Sequence, residues 1–110
     1  MEENVSTLYV ESVSLAAEVN LLWSQIGKRD QGLARRLKRA CQDVPLHLAE
    51  GMCATGRARR KEYGAALGSA REALACVRAA ESIGYLERGD QGLRERLSQV
   101  VDRITQALAA

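Results

Sequence analysis

The chain has 110 residues and a formal net charge of +2, with 46% hydrophobic but only 4% aromatic residues. This length allows one domain, and the scarcity of aromatic and β-branched residues favours closely packed helices over a sheet. No stretch approaches the roughly 20 consecutive apolar residues that span a bilayer, which excludes a transmembrane helix, and we expect no membrane partner.

The first predicted helix covers residues 5–27 and carries a seam of residues spaced alternately by three and four. The seam consists of Val5, Leu8, Ser12, Leu15, Val19, Leu22 and Ile26. This is the pattern of a helix that packs along one stripe, with a single polar interruption. Tyr9 and Trp23 lie on an adjacent face, where they either widen the core contact or anchor a subunit interface. Gly27 is the predicted stop.

The second predicted helix covers residues 30–51, and Asp30 is its predicted N-cap because a carboxylate there can accept from the first unpaired amides. Its buried stripe consists of Leu33, Leu37, Ala40, Val44 and Leu48. Pro45 falls inside this run, where it removes a backbone donor and crowds the carbonyl of Cys41. The helix must therefore bend or break at Pro45. Gly51 is a plausible C-terminal residue.

The third predicted helix covers residues 58–83, and Gly84 ends it. Its inward residues are Tyr63, Leu67, Ala70, Leu74 and Val77. Gly64 and Gly68 lie four apart within it, joined by the small residues Ala65, Ser69, Ala73 and Ala80, although each interior glycine costs up to about 1 kcal/mol relative to alanine. Such a line of small residues indicates that another backbone approaches closely, either within the bundle or from a second subunit.

The fourth predicted helix covers residues 90–109 and buries Leu93, Leu97, Val100, Ile104 and Leu108. It opens on Asp90-Gln91-Gly92-Leu93, which repeats Asp30-Gln31-Gly32-Leu33 of the second helix. Each copy is soon followed by an Arg-Leu pair. Because every connection is short, neighbouring helices should run in opposite directions. The sequence thus predicts an all-α, antiparallel, up-down-up-down four-helix bundle with a proline bend in helix 2, forming a single domain over residues 1–110.

Positive charge is concentrated in the middle of the chain, where residues 28–61 hold ten bases and three acids. One cluster lies on the second helix and the other at the entrance to the third: Arg35, Arg36, Lys38 and Arg39, and Arg57, Arg59, Arg60 and Lys61. Like charges three and four apart repel, and cations oppose the dipole at a helix N-terminus. Folding alone does not account for these clusters, whereas phosphate binding does. The alternatives are a protein partner and a plain solvated surface.

Enzymatic and metal chemistry have little support. The single histidine, His47, and the scattered Cys41, Cys53 and Cys76 do not form a zinc motif, so no metal or cofactor is expected. Glu50 is expected to fix a turn or an adjoining helix by hydrogen bonding, and His47 to be a packed polar residue. The acidic start lacks the apolar segment of a signal peptide, and free thiols favour a cytoplasmic protein.

A longer pattern runs from about Ala40 to Leu86. Pro45-x-x-x-Ala49-Glu50-Gly51 is followed by a basic loop, then Gly68-Ser69-Ala70-Arg71-Glu72-Ala73 and Gly84-Tyr85-Leu86. It resembles the four-helix-bundle proteins encoded in intervening sequences of bacterial 23S ribosomal RNA genes (S23-type), which are related to the accessory variability protein of diversity-generating retroelements. That family usually has asparagine at the position of His47.

The resemblance implies a ring-like homo-oligomer, with a pentamer favoured. The interface candidates, taken from the pattern of aromatic and small residues, are Tyr9, Trp23, Gly64 and Gly68. It also implies contact with RNA or DNA, or with a nucleic-acid enzyme. We therefore expect a non-enzymatic accessory protein that binds nucleic acid, RNA above all, through its two basic clusters and mainly by phosphate contacts. The alternative is a protein-interaction scaffold that recruits a partner such as a reverse transcriptase without touching nucleic acid.

Overall fold

Four α-helices make up almost all of the described chain. In the computed structural model, which describes residues 2–86 and 91–110, α1 spans Glu2–Gly27, α2 Gln31–Met52, α3 Gly56–Ile83 and α4 Gln91–Ala109. No strand occurs in these two ranges. The predicted all-α class is confirmed, and the predicted helix bounds lie within three residues of the observed ones. The expected N-cap Asp90 lies outside the described residues.

The helices form a four-helix bundle. Each helix packs against the next in the chain, and α1 also packs against α4, which closes the bundle. The connections α1–α2 and α2–α3 have only three residues each, so the chain reverses direction at once. The predicted antiparallel arrangement is confirmed, and it places the start of α1, the end of α2 and the start of α3 at the same end of the molecule.

The core is built from the predicted apolar stripes. Most of their members are buried, while Leu22, Leu33, Leu67 and Leu108 are partly buried and pack against the core. Burying one such aliphatic side chain contributes about 1.5–3 kcal/mol, which makes these stripes the main source of stability. Ser12, the polar interruption in α1, is 2% exposed, and its hydroxyl donates to the carbonyl of Tyr9 at 2.8 Å. The buried hydroxyl is therefore satisfied within its own helix.

The start of α2 and the end of α3 follow their predicted capping residues. The Asp30 carboxylate accepts from the amide of Leu33 at 2.9 Å, so the predicted N-cap is confirmed. Gly84 ends α3 with φ +93°, a left-handed conformation that favours glycine. The amides of Gly84 and Tyr85 then donate to the carbonyl of Ala80 at 3.1 and 2.8 Å.

Pro45 is buried inside α2, which continues from Gln31 to Met52. Of the two expected consequences, a break in the helix is therefore wrong. The proline ring lines a cleft between α1 and α2. Gly51 lies before the end of the helix and is itself buried, so its expected role as the C-terminal residue is also wrong. Cys53 is the C-cap instead, with its amide donating to the carbonyls of Ala49 and Gly51.

Arg96 joins α4 to α1. Its guanidinium donates to the carboxylate of Glu11 at 2.8 Å, to the hydroxyl of Ser14 at 3.3 Å and to the carboxylate of Glu18. The hydrogen bond with Glu11 raises the pKa of Arg96 above its ordinary value. One side chain thus links two turns of α1 to the middle of α4, across the α1–α4 contact that closes the bundle.

The three cysteines have different surroundings. Cys41 and Cys76 are buried, whereas Cys53 is exposed at the end of α2. Burial raises the pKa of the Cys41 thiol to about 12 and also raises the pKa of Cys76. Both buried thiols therefore stay protonated at neutral pH and act as small apolar side chains in the core.

Candidate nucleic-acid interface

Arg59 lies at the end of α2 because α3 begins only three residues after α2 stops. Its Nε donates to the carbonyl of Gly51 at 3.0 Å and to that of Ala54 at 2.8 Å, and its Nη2 lies 3.4 Å from the carbonyl of Met52. These carbonyls include the last ones of α2, which have no partner inside their own helix. A cation is also favourable at the negative end of the helix dipole. Arg59 therefore caps α2.

Arg60 caps a second helix. Its Nη1 donates to the carbonyl of Leu108, near the end of α4, at 2.7 Å. The expectation that folding does not account for the basic cluster is thus wrong for Arg59 and Arg60. Their position at the start of α3 indicates an unfavourable interaction with the dipole of that helix. Their guanidinium groups, however, reach the C-terminal ends of two neighbouring helices. Such ends attract positive charge.

Arg57 and Lys61 belong to the same cluster but lie on the outside of α3. Both are exposed, and neither forms an ion pair or side-chain hydrogen bond with the described part of the chain. One basic segment is therefore divided by the helical period into two residues that hold helix ends and two that face outward.

The cluster on α2 is partly neutralised. Arg36 pairs with Glu72 of α3 at 2.9 Å, and Arg39 lies 4.0 Å from Asp43 one turn later. The ammonium of Lys38 lies 5.0 Å from the centre of the Trp23 ring, within the range of a cation–π contact. Arg35 is exposed and lines a cleft of about 360 Å³ beside Trp23. This surface carries mixed charge.

The outer surface of α3 carries two further cations that the sequence reasoning did not select, Arg71 and Arg78. Both are exposed, and neither has an ion pair within the described residues. Eight exposed residues alternate spacings of three and four along this surface, and we call them the α3 outer row: Arg57, Lys61, Gly64, Gly68, Arg71, Ala75, Arg78 and Ser82. The row contains four cations and no acid. The row could have been found from the sequence, because its residues are the ones that fall on the side of α3 opposite to the predicted buried stripe.

Gly64 and Gly68 lie in the middle of this row. A Cβ atom built on either glycine would have no neighbour within 4 Å. No backbone of the described subunit lies close to either glycine, so the expected close approach within the bundle is wrong for Gly64 and Gly68, whereas Ala73 and Ala80 of the same line are buried in the bundle. Their use at a subunit interface stays a prediction.

The residues around Pro45 have structural contacts of different kinds. Nδ1 of His47 lies 3.4 Å from the carboxylate of Glu62 on α3, and both side chains are partly buried. The Tyr63 ring packs against Gly51, where a Cβ atom would lie 2.5 Å from its Cδ1. Glu50 is exposed and makes no hydrogen bond to any described residue, so its expected role in fixing a turn is wrong.

An apolar cleft of about 340 Å³ lies between α1 and α2. Its lining includes Tyr9, Val13, Pro45 and Leu46. Leu46 is 62% exposed and Val13 43%, which is high for large aliphatic side chains at neighbouring positions. Tyr9 is partly buried against the core, and Trp23 lies 37% exposed farther along α1. The two aromatics of the expected interface thus lie on the α1–α2 side of the molecule.

The described ranges contain neither a candidate metal site nor a candidate membrane span. No group of three or more histidine, cysteine or acidic side chains is placed to hold a metal ion there. Among the same residues, no helix has both the length and the hydropathy needed to cross a membrane.

The fold closely matches that of a solved protein. A crystal structure at 1.70 Å of a protein of unknown function from the S23 ribosomal protein family of Bacteroides thetaiotaomicron superposes on this chain with a TM-score of 0.89. The alignment covers 97% of this chain and 99% of that chain, at 12% sequence identity. No protein-family model and no curated protein matches the sequence. The fold implied by the resemblance to S23-type proteins is therefore confirmed.

Proposed function

We propose that this chain is a cytoplasmic, non-enzymatic accessory protein that binds nucleic acid mainly through phosphate contacts. The observation that carries the proposal is the α3 outer row, whose four cations have no acid among them and no ion pair in the described chain. Unpaired cations repel one another along a helix and contribute little to folding. Phosphate contact gives them a favourable role, because it releases the counterions condensed on the nucleic acid.

RNA is the favoured ligand on the strength of the resemblance to proteins encoded in 23S ribosomal RNA intervening sequences. The structural neighbour is described as a member of the S23 ribosomal protein family, and its own function is unknown. The candidate residues are the exposed cations of the predicted clusters that have no ion pair or side-chain hydrogen bond within the described residues, together with two that the clusters lack. They are Arg35, Arg57 and Lys61, and Arg71 and Arg78. Arg59 and Arg60 are better explained as helix caps.

We also propose that copies of the chain associate, with a pentamer favoured by the resemblance. The apolar cleft supports this through its exposed Val13 and Leu46, and Val10 and Leu21 are further exposed aliphatic side chains of α1. Exposed apolar groups of this kind mark interaction surfaces. Tyr9 and Trp23 adjoin the same side. Association would repeat the four cations of each α3 around the assembly and strengthen binding by avidity.

The test combines the binding of an RNA hairpin with the mass of the assembly. Fluorescence anisotropy of a labelled hairpin should show saturable binding at 50 mM salt that weakens at least about tenfold at 200 mM salt. Light scattering should give a multiple of the 12.0 kDa chain, about 60 kDa for five copies. A protein that leaves the hairpin unbound at 50 mM salt contradicts nucleic-acid binding, and a monomer contradicts association.

The second candidate function is a protein-interaction scaffold. The observation in its favour is the same exposed apolar cleft, because a monomer in solution would leave Val13 and Leu46 available to a partner protein such as a reverse transcriptase. Capture of such a partner that survives nuclease treatment, by a protein that does not bind the hairpin, would support the scaffold and contradict direct nucleic-acid contact.

A further inference from the structure

We propose that the α3 outer row binds the phosphate backbone of a nucleic-acid duplex in preference to a single strand. This inference rests on the proposed function and gives the form of its ligand. Three properties of the row carry it: its charge, the small residues between its cations, and the lack of aromatic rings along it.

The charge of the row is not neutralised from either side. On the α2 side, Glu72 is paired with Arg36 at 2.9 Å and Glu62 lies 3.4 Å from His47. On the α4 side, Glu81 lies 3.5 Å from Arg94. The three acids of α3 thus lie off the row, each beside a basic side chain of another helix, and the charged residues of the row itself are all cations.

The shape of the row suits a stiff ligand. From Arg57 to Arg78 it runs for about 32 Å at 1.5 Å per residue, along one continuous helix. Gly64 and Gly68 leave open space between the outer cations, since nothing lies within 4 Å of where their Cβ atoms would be. A phosphate backbone can therefore come close to the helix while the longer arginine and lysine side chains reach around it.

The aromatic residues lie elsewhere. Tyr63 packs against Gly51 inside the bundle, Tyr9 and Trp23 lie on the α1–α2 side, and Tyr85, just past the end of α3, is partly buried against the core. The row therefore offers no ring on which an unpaired base could stack, and single-strand binders depend on such stacking. A flexible strand would also lose conformational freedom on a straight row.

A duplex has a higher density of negative charge than a single strand and should therefore bind this surface more tightly. It carries one phosphate per about 1.7 Å of axis, compared with about 3.4 Å for each strand. Its bases are already paired and stacked, so it requires nothing from the protein except phosphate contacts. RNA and DNA duplexes share this chemistry, and contacts of this kind carry little sequence information.

The experiment compares three labelled ligands by anisotropy at 100 mM salt: a 20-base-pair RNA duplex, a DNA duplex of the same length and a 20-nucleotide oligouridine. We expect at least one duplex to bind about tenfold more tightly than the single strand, because of its higher charge density. Arg71→Gln with Arg78→Gln should weaken duplex binding at least about tenfold. The matched control is Lys28→Gln with Arg29→Gln, which removes two exposed cations from the α1–α2 connection and should leave affinity within about twofold.

A second variant changes shape and keeps charge. Gly68→Leu fills the open space in the row and improves helix propensity, so the protein should stay folded while duplex affinity falls by about threefold or more. Gly92→Leu is its control, because Gly92 is also exposed with nothing within 4 Å but lies on α4.

Tighter binding of the single strand, or duplex binding that Arg71→Gln with Arg78→Gln leaves unchanged, would overturn this inference and leave nucleic-acid binding intact. Failure to bind any of the three ligands would overturn both.

Discussion

Replacement of Gly51 by alanine is expected to lower the free energy of unfolding by about 1–3 kcal/mol, the range of an overpacked core position. An added Cβ atom would lie 2.5 Å from Cδ1 of Tyr63 and 3.3 Å from its Cζ. The Tyr63 ring is 7% exposed and belongs to the core cluster, so it cannot move without disturbing its neighbours. Helix propensity alone favours alanine by up to about 1 kcal/mol, which makes the sign of the change diagnostic.

Gly64→Ala is the matched control for this prediction. Gly64 also lies inside a helix, but its Cβ atom would meet nothing within 4 Å. Urea unfolding should therefore show that Gly64→Ala raises the free energy of unfolding by up to about 1 kcal/mol, whereas Gly51→Ala lowers it. If both substitutions stabilised the protein to the same degree, the close packing of α2 against Tyr63 would be wrong.

Replacement of Arg96 by methionine is expected to destabilise the protein by about 1–2 kcal/mol, after allowance for partial solvent screening. The substitution keeps a long apolar stem but removes the hydrogen bonds to Glu11, Ser14 and Glu18. It also leaves two carboxylates on the same face of α1 without the guanidinium that joins them. Thermal or urea unfolding measures the loss.

Arg36→Met is the control, because Arg36 occupies the corresponding Arg-Leu position in α2. Arg36 pairs with one carboxylate, Glu72, and its side chain is 69% exposed, compared with 32% for Arg96. Its replacement should shift the unfolding midpoint less. An equal or larger shift for Arg36→Met would contradict the role of Arg96 as the link that closes the bundle.

The fold could be predicted from the sequence because its main determinants are local and periodic. The seam of α1 from Val5 to Ile26 repeats every three or four residues, and such a stripe must be buried. Asp30 and Gly84 mark a helix start and a helix end by interactions within a few residues of themselves. Short connections then leave only antiparallel packing of neighbours.

The partners of charged residues could not be predicted in this way. Arg59 and Arg60 stand at the start of α3, yet they donate to carbonyls at the ends of α2 and α4, and Arg60 reaches a residue 48 positions away. If only the dipole of α3 is considered, the two arginines are expected to destabilise the fold, whereas their contacts with the ends of α2 and α4 stabilise it. The contact of Gly51 was not predicted for a similar reason, because the Tyr63 ring that packs against it belongs to another helix.

Arg71 and Arg78 were missed because they are separated in sequence and do not form a visible run of charge. They join Arg57 and Lys61 only when the residues are arranged at helical spacing on the exposed side of α3. Runs of adjacent basic residues are therefore a poor guide to a charged surface on a helix, since the helical period sends neighbours to different sides.

The most direct test uses one basic segment and two double variants that remove equal charge. The measurement is the slope of log affinity against log salt concentration for a DNA duplex, made where both variants are folded. Arg57→Gln with Lys61→Gln should reduce the slope by about 1.8, because each lost phosphate contact removes about 0.9. Arg59→Gln with Arg60→Gln should lower the unfolding midpoint, since it removes two helix caps, and leave the slope unchanged. Equal slopes for the two variants would contradict the division of this segment into cations that cap helices and cations that bind phosphate.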